Sequence, residues 1–275
     1  MSAPYLDEVA GVLERLRSRR PLVHCMTNQV VKNFTANALL AIGAAPAMVE
    51  HPGEAAEFAA MADAVLVNLG TLDECQMAAV RAALPSAQKA GKPWVLDPVA
   101  VGPLGLRTRF AREILAHRPA LIRGNASEII ALAGLAGRGR GVDSGDSADQ
   151  ALDAARQLAR LTQGAVLISG PVDYSTDGRT VIACSNGDSL MTRVTGVGCA
   201  QGAVAAACAA VGDTPLQAAA AAAVLMGIAG EQAAAAARRP GSFQVALLDA
   251  LDAIDGEAVR ARGRVSCQLE GRFRT

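Results

Sequence analysis

Ala64-Val65-Leu66-Val67-Asn68-Leu69-Gly70 is an apolar run that closes on a polar side chain and a glycine, and its reading decides the fold. A short, continuous apolar run of this kind predicts a strand buried on both faces. Thr71 and Glu74 follow at capping-box spacing, so a helix is expected next, kinked or broken at Pro85. A second run, Trp94-Val95-Leu96, then leads into Asp97-Pro98. Strand, helix, strand in that order is the pattern of a parallel sheet whose crossovers cover it with helices.

The same alternation extends in both directions. Leu6, Val9, Leu13 and Leu16 mark a first amphipathic helix, and residues 21–26 a buried strand. Asn28 is positioned to cap a helix ending at Ile42, with Gly43 as its stop. Residues 46–49 read as a short strand, and Pro52 opens another helix. Ala120-Leu121-Ile122 enters Arg123-Gly124-Asn125, residues 135–147 read as a surface loop, and a helix from Ser147 to about Leu161 precedes a strand at 165–169. Residues 181–183 and 189–194 suggest a hairpin around Asn186-Gly187, followed by three alanine-rich helices and a loose polar tail from Arg260. The expectation is an α/β protein, one domain over residues 1–275, with a mainly parallel central sheet and helices on both faces. Such sheets bind ligands beyond the carboxyl ends of their strands. Asn28, Met48, Gly70, Asp97, Arg123 and Ser169 all fall at or just past such ends.

Composition narrows the partner. The 275 residues are 51% apolar and carry 26 basic against 26 acidic side chains, with one Trp, two Tyr and five Phe. No basic surplus favours nucleic acid, and aromatic stacking surfaces are scarce. The apolar stretch at 218–229 is shorter than a membrane span and reads as a buried helix. Six dispersed cysteines without a C-x-x-C pair, and no apolar leader at residues 1–8, suit reduced thiols in the cytoplasm. A small-molecule ligand is expected, with neither nucleic acid nor membrane as partner.

Thr195-Gly196-Val197-Gly198-Cys199 precedes a helix starting near Ala200. Its glycines either turn the backbone so that N–H groups and the helix dipole form an anion site, or merely admit close packing. Cys199 at that helix mouth is either a thiol with a lowered pKa facing an attacking hydroxyl or a small buried hydrophobe. Asp97 and Glu128 could share a Mg²⁺ near phosphates; equally, Asp97-Pro98 is a turn and Asn125/Glu128 a capping box. Arg123 is a phosphate ligand or a surface cation, Ser169-Gly170 a nucleotide contact or a turn, and Met48 a pocket lining or core. No Walker A or G-x-G-x-x-G motif occurs.

Taken together, the blocks His24-x-x-Thr27-Asn28, residues 43–48, Asn68-Leu69-Gly70-Thr71-Leu72, Asp97-Pro98-Val99, residues 123–129 and Thr195–Cys199 stand in an order that resembles the hydroxyethylthiazole kinase family of the ribokinase-like superfamily. Residues 141–144, 241–243 and 248–249 add to the likeness, which runs from about Leu22 to Asp252. The resemblance implies ATP- and Mg²⁺-dependent phosphorylation of 4-methyl-5-(2-hydroxyethyl)thiazole by a homotrimer with sites between subunits. It implies that Met48 and Gly196, with Asn28 nearby, contact the thiazole, and that Arg123 and Ser169, with Gly198 in the anion turn, bind ATP. Asp97 and Glu128 would organise the metal and phosphates, and Cys199 would face the substrate hydroxyl. The chain departs from the family pattern at Val197 and in the Ala-Gln-Gly-Ala that follows Cys199. A hydroxymethylpyrimidine-type kinase and a non-catalytic binding protein of the same fold are the other readings.

Overall fold

In the computed structural model, which describes residues 3–134 and 144–269, the chain alternates strand and helix through most of its length. Helix α1 (Ala3–Arg19) leads into β1 (Leu22–Met26), α2 (Lys32–Ile42), β2 (Ala45–Ala47), α3 (Pro52–Met61) and β3 (Ala64–Asn68). The pattern continues through α4 (Glu74–Lys89), β4 (Trp94–Asp97), α5 (Gly105–Ile114), β5 (Leu121–Asn125), α6 (Ala126–Leu132), α7 (Ser144–Thr162) and β6 (Ala165–Ser169). β7 (Asp173–Thr176) and β8 (Thr180–Cys184) follow, then α8 (Val197–Val211), α9 (Pro215–Ala236), α10 (Pro240–Ala253), α11 (Gly256–Arg262) and β9 (Val265–Leu269).

The strands form one sheet in the order β2-β1-β3-β4-β5-β6-β7-β8-β9. Pairing is parallel from β2 to β6 and antiparallel from β6 to β9. Side chains alternate between the two faces of each strand. Ala64, Leu66, Val95, Leu121 and Leu167 therefore pack with α1, α2, α8, α9, α10 and α11. Val65, Val67, Leu96, Ile122 and Val166 pack with the opposite layer of α3 to α7. Helix α9 has 22 residues, enough to cross a bilayer by length and apolar content, and here it is a buried core helix.

Several local expectations are corrected. Helix α4 is capped by Asp73, whose carboxylate accepts from Gln76 N at 2.7 Å, and the Thr71 hydroxyl instead accepts from Gln29 N. Pro85 does not end α4, because buried Leu84 and Ala87 hold its last turns in the core. Asn28 caps a one-turn 3₁₀ segment (Gln29–Val31), and α2 starts only after it; Gly43 closes α2 at φ +102° as expected. The short strand is Ala45–Ala47. The hairpin joins β7 to β8, turning at Gly178 (φ +92°) with Asp177 Oδ1 accepting from Arg179 N and Thr180 N. Asn186-Gly187 makes no hairpin because the Asn186 amide donates to Glu231 on α9 and to Arg262 O, while its oxygen accepts from Arg264 N. Ser189–Arg193 is 3₁₀ helix. The tail is ordered as α11 and as β9, which pairs with β8. Of the loop expected over 135–147, residues 135–143 lie outside the described residues and 144–147 open α7.

Candidate active site

Strand parity assembles the polar ends. Asn68 follows Leu66 by two residues, Asp97 follows Val95, Arg123 follows Leu121 and Ser169 follows Leu167, so all four side chains emerge on the face that α8 covers. The register sets Asn68 beside Asp97 and Asn125 beside Ser169. At the carboxyl ends of four neighbouring parallel strands, these groups lie where such sheets bind ligands.

Asp97 is fully buried. Its Oδ2 accepts from Asn68 Nδ2 at 2.5 Å, and Oδ1 lies 3.7 Å from Arg123 Nη1 without a hydrogen-bond partner. Burial raises the Asp97 carboxyl to about 7; the nearby Glu128 charge raises it too, while Arg123 and the Asn68 amide oppose the shift. Arg123 donates from Nε to Gln201 Oε1 and from Nη2 to Ser169 Oγ, both at 2.9 Å. Gly198 exists to admit this guanidinium: a Cβ at position 198 would lie 2.8 Å from Nη1 and 2.9 Å from Nη2. The arginine thus sits under the first turn of α8, adding a full positive charge to the positive end of the helix. Gly196 is the N-cap of α8 at φ +91°, and a side chain there would meet Val31.

Asn125 and Glu128 form a true capping box for α6: Asn125 Oδ1 accepts from Glu128 N, and Glu128 Oε2 accepts from Asn125 N. Glu128 Oε1 accepts from Ala100 N, which ties the turn after β4 to α6 and aims the carboxylate beside Asp97. The structural and functional readings of Glu128 are therefore compatible. The orphaned, buried Asp97 oxygen suits a cation, and each Glu128 oxygen retains a lone pair. Among the described residues no three His, Cys, Asp or Glu side chains cluster as a metal cage. A pair of carboxylates with phosphate and water completing the shell is how Mg²⁺ is usually held.

For Cys199 the expectation of a lowered pKa is overturned. The residue is half-buried in the first turn of α8, and burial pushes its thiol up to about 11, with the Asp97 charge adding to the shift. Loss of solvation is the largest cause, and the Asn68 amide and the Arg123 charge oppose it only in part. Met48 lies just past the edge strand β2 and packs against the core. The Asn28 oxygen is used by its own cap, accepting from Val30 N. Asp97, Glu128, Arg123, Ser169, Gly198 and Cys199 thus converge, whereas Met48 and Asn28 follow the outer strands β2 and β1, and Gly196 lies against Val31 and Phe34. Asn68 and Asp173 belong to the centre without having been expected there, and only Asn68, at a strand end, carried a positional signal; Gln201, expected among the substrate-side contacts after Cys199, instead bonds Arg123 and Asp173.

Asp97 makes the metal-free protein pH-sensitive. A carboxyl raised from 3.8 to about 7 binds its proton more tightly folded than unfolded, so stability falls as pH rises between those values and levels off above. Asp97→Asn should therefore melt higher than wild type by a margin that widens from about pH 5 to about pH 8, where ~1 kcal/mol is worth roughly 2–4 °C in domains somewhat smaller than this one. Melts without metal across that range check it; an equal margin at both ends contradicts it.

A family model described as the hydroxyethylthiazole kinase family matches residues 13–257. The chain is 59% identical over 247 residues to the hydroxyethylthiazole kinase of Cronobacter sakazakii, covering 90% of this chain and 93% of that one. The hydroxyethylthiazole kinase structure from Pyrococcus horikoshii superposes with TM-score 0.87 at 41% identity, covering 94% and 98% of the two chains. A ribokinase-like superfamily protein from Enterococcus faecalis, at 16% identity and TM-score 0.63 over 86% of this chain and 88% of its own, shares the fold. With a family model matched over residues 13–257 and a relative 59% identical over most of both chains, the chain belongs to the hydroxyethylthiazole kinase family.

Proposed function

We propose that the protein transfers the γ-phosphoryl group of ATP to the primary alcohol of 4-methyl-5-(2-hydroxyethyl)thiazole, giving the thiazole phosphate for thiamine salvage. The observation that carries this reading is the Asp97–Arg123 pair buried under the N-terminal turn of α8, in a chain so similar to kinases of that name. In the transfer, the bond from the γ-phosphorus to the bridging oxygen of ADP breaks, a bond to the alcohol oxygen forms, and the alcohol proton passes to an oxygen of the transferred phosphoryl group and from there to water. Arg123, Ser169 and the amides around Gly198 bind the phosphates. Asp97 and Glu128 would hold Mg²⁺, which when bound would supply the positive charge that offsets the charge on the transferring group. Gly196, Met48 and Asn28 line the thiazole side.

Cys199 is a positioning group in this account, since a thiol raised to about 11 stays protonated at neutral pH. A loose transition state asks more for placement of the alcohol than for a base. Cys199→Ala should fold, bind ATP and turn over about tenfold more slowly, short of the ~10²–10⁴ cost of losing a true base. Cys199→Asp should stay active. Steady-state rates beside thermal melts decide it: a wild-type rate for Cys199→Ala would reduce the cysteine to packing, and a folded but dead Cys199→Asp would show that sulfur is required.

We further infer one domain over residues 1–275 and a homotrimer whose thiazole sites lie between subunits. Exposed Val30, Leu40 and Met61, on elements flanking β1 and β2, support an interface there. The free thiols at Cys25, Cys75, Cys184, Cys199, Cys208 and Cys267 support a cytoplasmic location. The test of function is coupled ADP release with and without the thiazole alcohol, with a hydroxymethylpyrimidine as competitor. ADP release that needs the thiazole alcohol supports the reading; release driven only by the pyrimidine, or none, contradicts it.

A further inference from the structure

Gln201 is nearly buried, at 5% exposure, on the turn of α8 that faces β5. Its Oε1 accepts from Arg123 Nε at 2.9 Å, and its Nε2 donates to Asp173 Oδ2 at 2.9 Å. Asp173, the first residue of β7, is anchored in turn because its Oδ1 accepts from Gly170 N at 2.9 Å. The orientation of the Gln201 amide is chemically determined, for arginine only donates and an ionised carboxylate only accepts. A single chain of hydrogen bonds therefore runs from the β6–β7 turn through α8 to the guanidinium.

This chain constrains one rotation. Arg123 has a planar fork of donors, so fixing Nε fixes the directions of Nη1 and Nη2. With Nε on Gln201, Nη2 reaches Ser169 and Nη1 faces Asp97 Oδ1 at 3.7 Å, both beneath Gly198. Without the anchor, the guanidinium could turn its Nε edge to the anion site.

We propose that Gln201, held by Asp173, is a positioning residue that sets the rotation of the Arg123 fork toward the nucleotide phosphates. The inference rests on Arg123 being a nucleotide ligand and deepens that reading. It makes a specific demand on charge and donor placement that packing does not. Gln201→Leu keeps the volume but removes the anchor. Asp173→Asn leaves one oxygen to serve two donors, Gly170 N and Gln201 Nε2. Gln201→Glu sets two carboxylates against each other. In the Gln201→Glu/Asp173→Asn double variant every bond can re-form: Gly170 N to the Asn oxygen, the Asn amide to one Glu oxygen, and Arg123 Nε to the other. Net charge is unchanged.

The experiment measures affinity for a non-hydrolysable ATP analogue by calorimetry, together with KM and kcat for ATP, in wild type, the three single variants and the double variant. Each single variant should weaken analogue binding and raise KM for ATP by about tenfold, the scale of a lost hydrogen bond to a charged group. kcat and KM for the thiazole alcohol should move less, and the double variant should return to within about threefold of wild type. Wild-type analogue affinity in Gln201→Leu, or a double variant no better than its parents, overturns the proposal. A single variant that loses kcat at unchanged KM would mean a structural role only and also overturns it. Should wild type bind the analogue but fail to phosphorylate the thiazole alcohol, the substrate reading falls while the affinities still decide the role of Gln201; no analogue binding by wild type overturns both.

Discussion

Asp97→Asn should leave a folded protein whose turnover falls by about 10²–10³-fold, the largest loss expected of any single polar substitution here. The change is small in shape, and the Asn68 bond can persist to the new side-chain oxygen. What disappears is the negative charge at Oδ1, the buried oxygen that accepts no hydrogen bond and faces Arg123. Two functions end together: the carboxylate that can hold a divalent cation, and the counter-charge to a guanidinium beneath a helix N-terminus. Each factor of ten is about 1.4 kcal/mol, so the predicted loss asks about 3–4 kcal/mol of one charge in a water-poor site. Excess chelator should bring wild type down toward the variant and change the variant little. Steady-state turnover with graded metal, beside a melt, measures this; near-wild-type turnover of Asp97→Asn, or full wild-type activity in chelator, contradicts it.

Gly198→Ala is expected to come close to that loss by a purely steric route. The added methyl would meet Nη1 and Nη2 of Arg123 at under 3 Å, while Gly198 itself lies in ordinary helix, without the positive φ of Gly196. The obstacle is the far end of a flexible side chain, so the helix backbone need not move, and the melting temperature should fall by only a few degrees as Arg123 gives up its buried partners. The guanidinium, however, must leave Ser169, Gln201 and the neighbourhood of Asp97 at once. Misplacement of a reacting group by an ångström can cost ~10²-fold, and that is the fall in kcat/KM expected for ATP. A nucleotide titration and a melt separate the outcomes: unaltered ATP use would show that Arg123 does not touch the phosphates, and a collapsed melt would show that the helix cannot take the methyl.

How much of this was legible beforehand depends on the range of the interactions. Strands β3 to β6 could be read because their apolar runs are continuous, and period-two parity placed Asp97, Arg123 and Ser169 on one face once the strands were known. The Asn125/Glu128 capping box is local and was readable as such. The start of α4 was misread because Thr71 and Asp73 are both good caps, and the Thr71 hydroxyl is taken by Gln29 N, far away in sequence. Asn186-Gly187 carried a strong turn signal, overridden by bonds to Glu231 and Arg264. Val265-Ser266-Cys267-Gln268-Leu269 alternates as an edge strand should, but between arginine-rich flanks its pairing with β8 became evident only in the fold. The Cys199 thiol illustrates the same limit: the helix N-terminus is visible in the sequence, whereas the burial that raises the thiol is tertiary. Gln201 interacts only with residues brought to it from β5 and β7, so its role had no local signal.

The central claim is that this site moves the γ-phosphoryl group of ATP onto the thiazole alcohol. ATP isotopically labelled in that group, incubated with the protein, metal and 4-methyl-5-(2-hydroxyethyl)thiazole, puts the claim to mass spectrometry of the thiazole product. The account predicts a thiazole phosphate that carries the whole labelled group, formed in step with ADP and nearly abolished in Asp97→Asn. Label found only in inorganic phosphate, or a labelled thiazole phosphate formed equally well by Asp97→Asn, would contradict it.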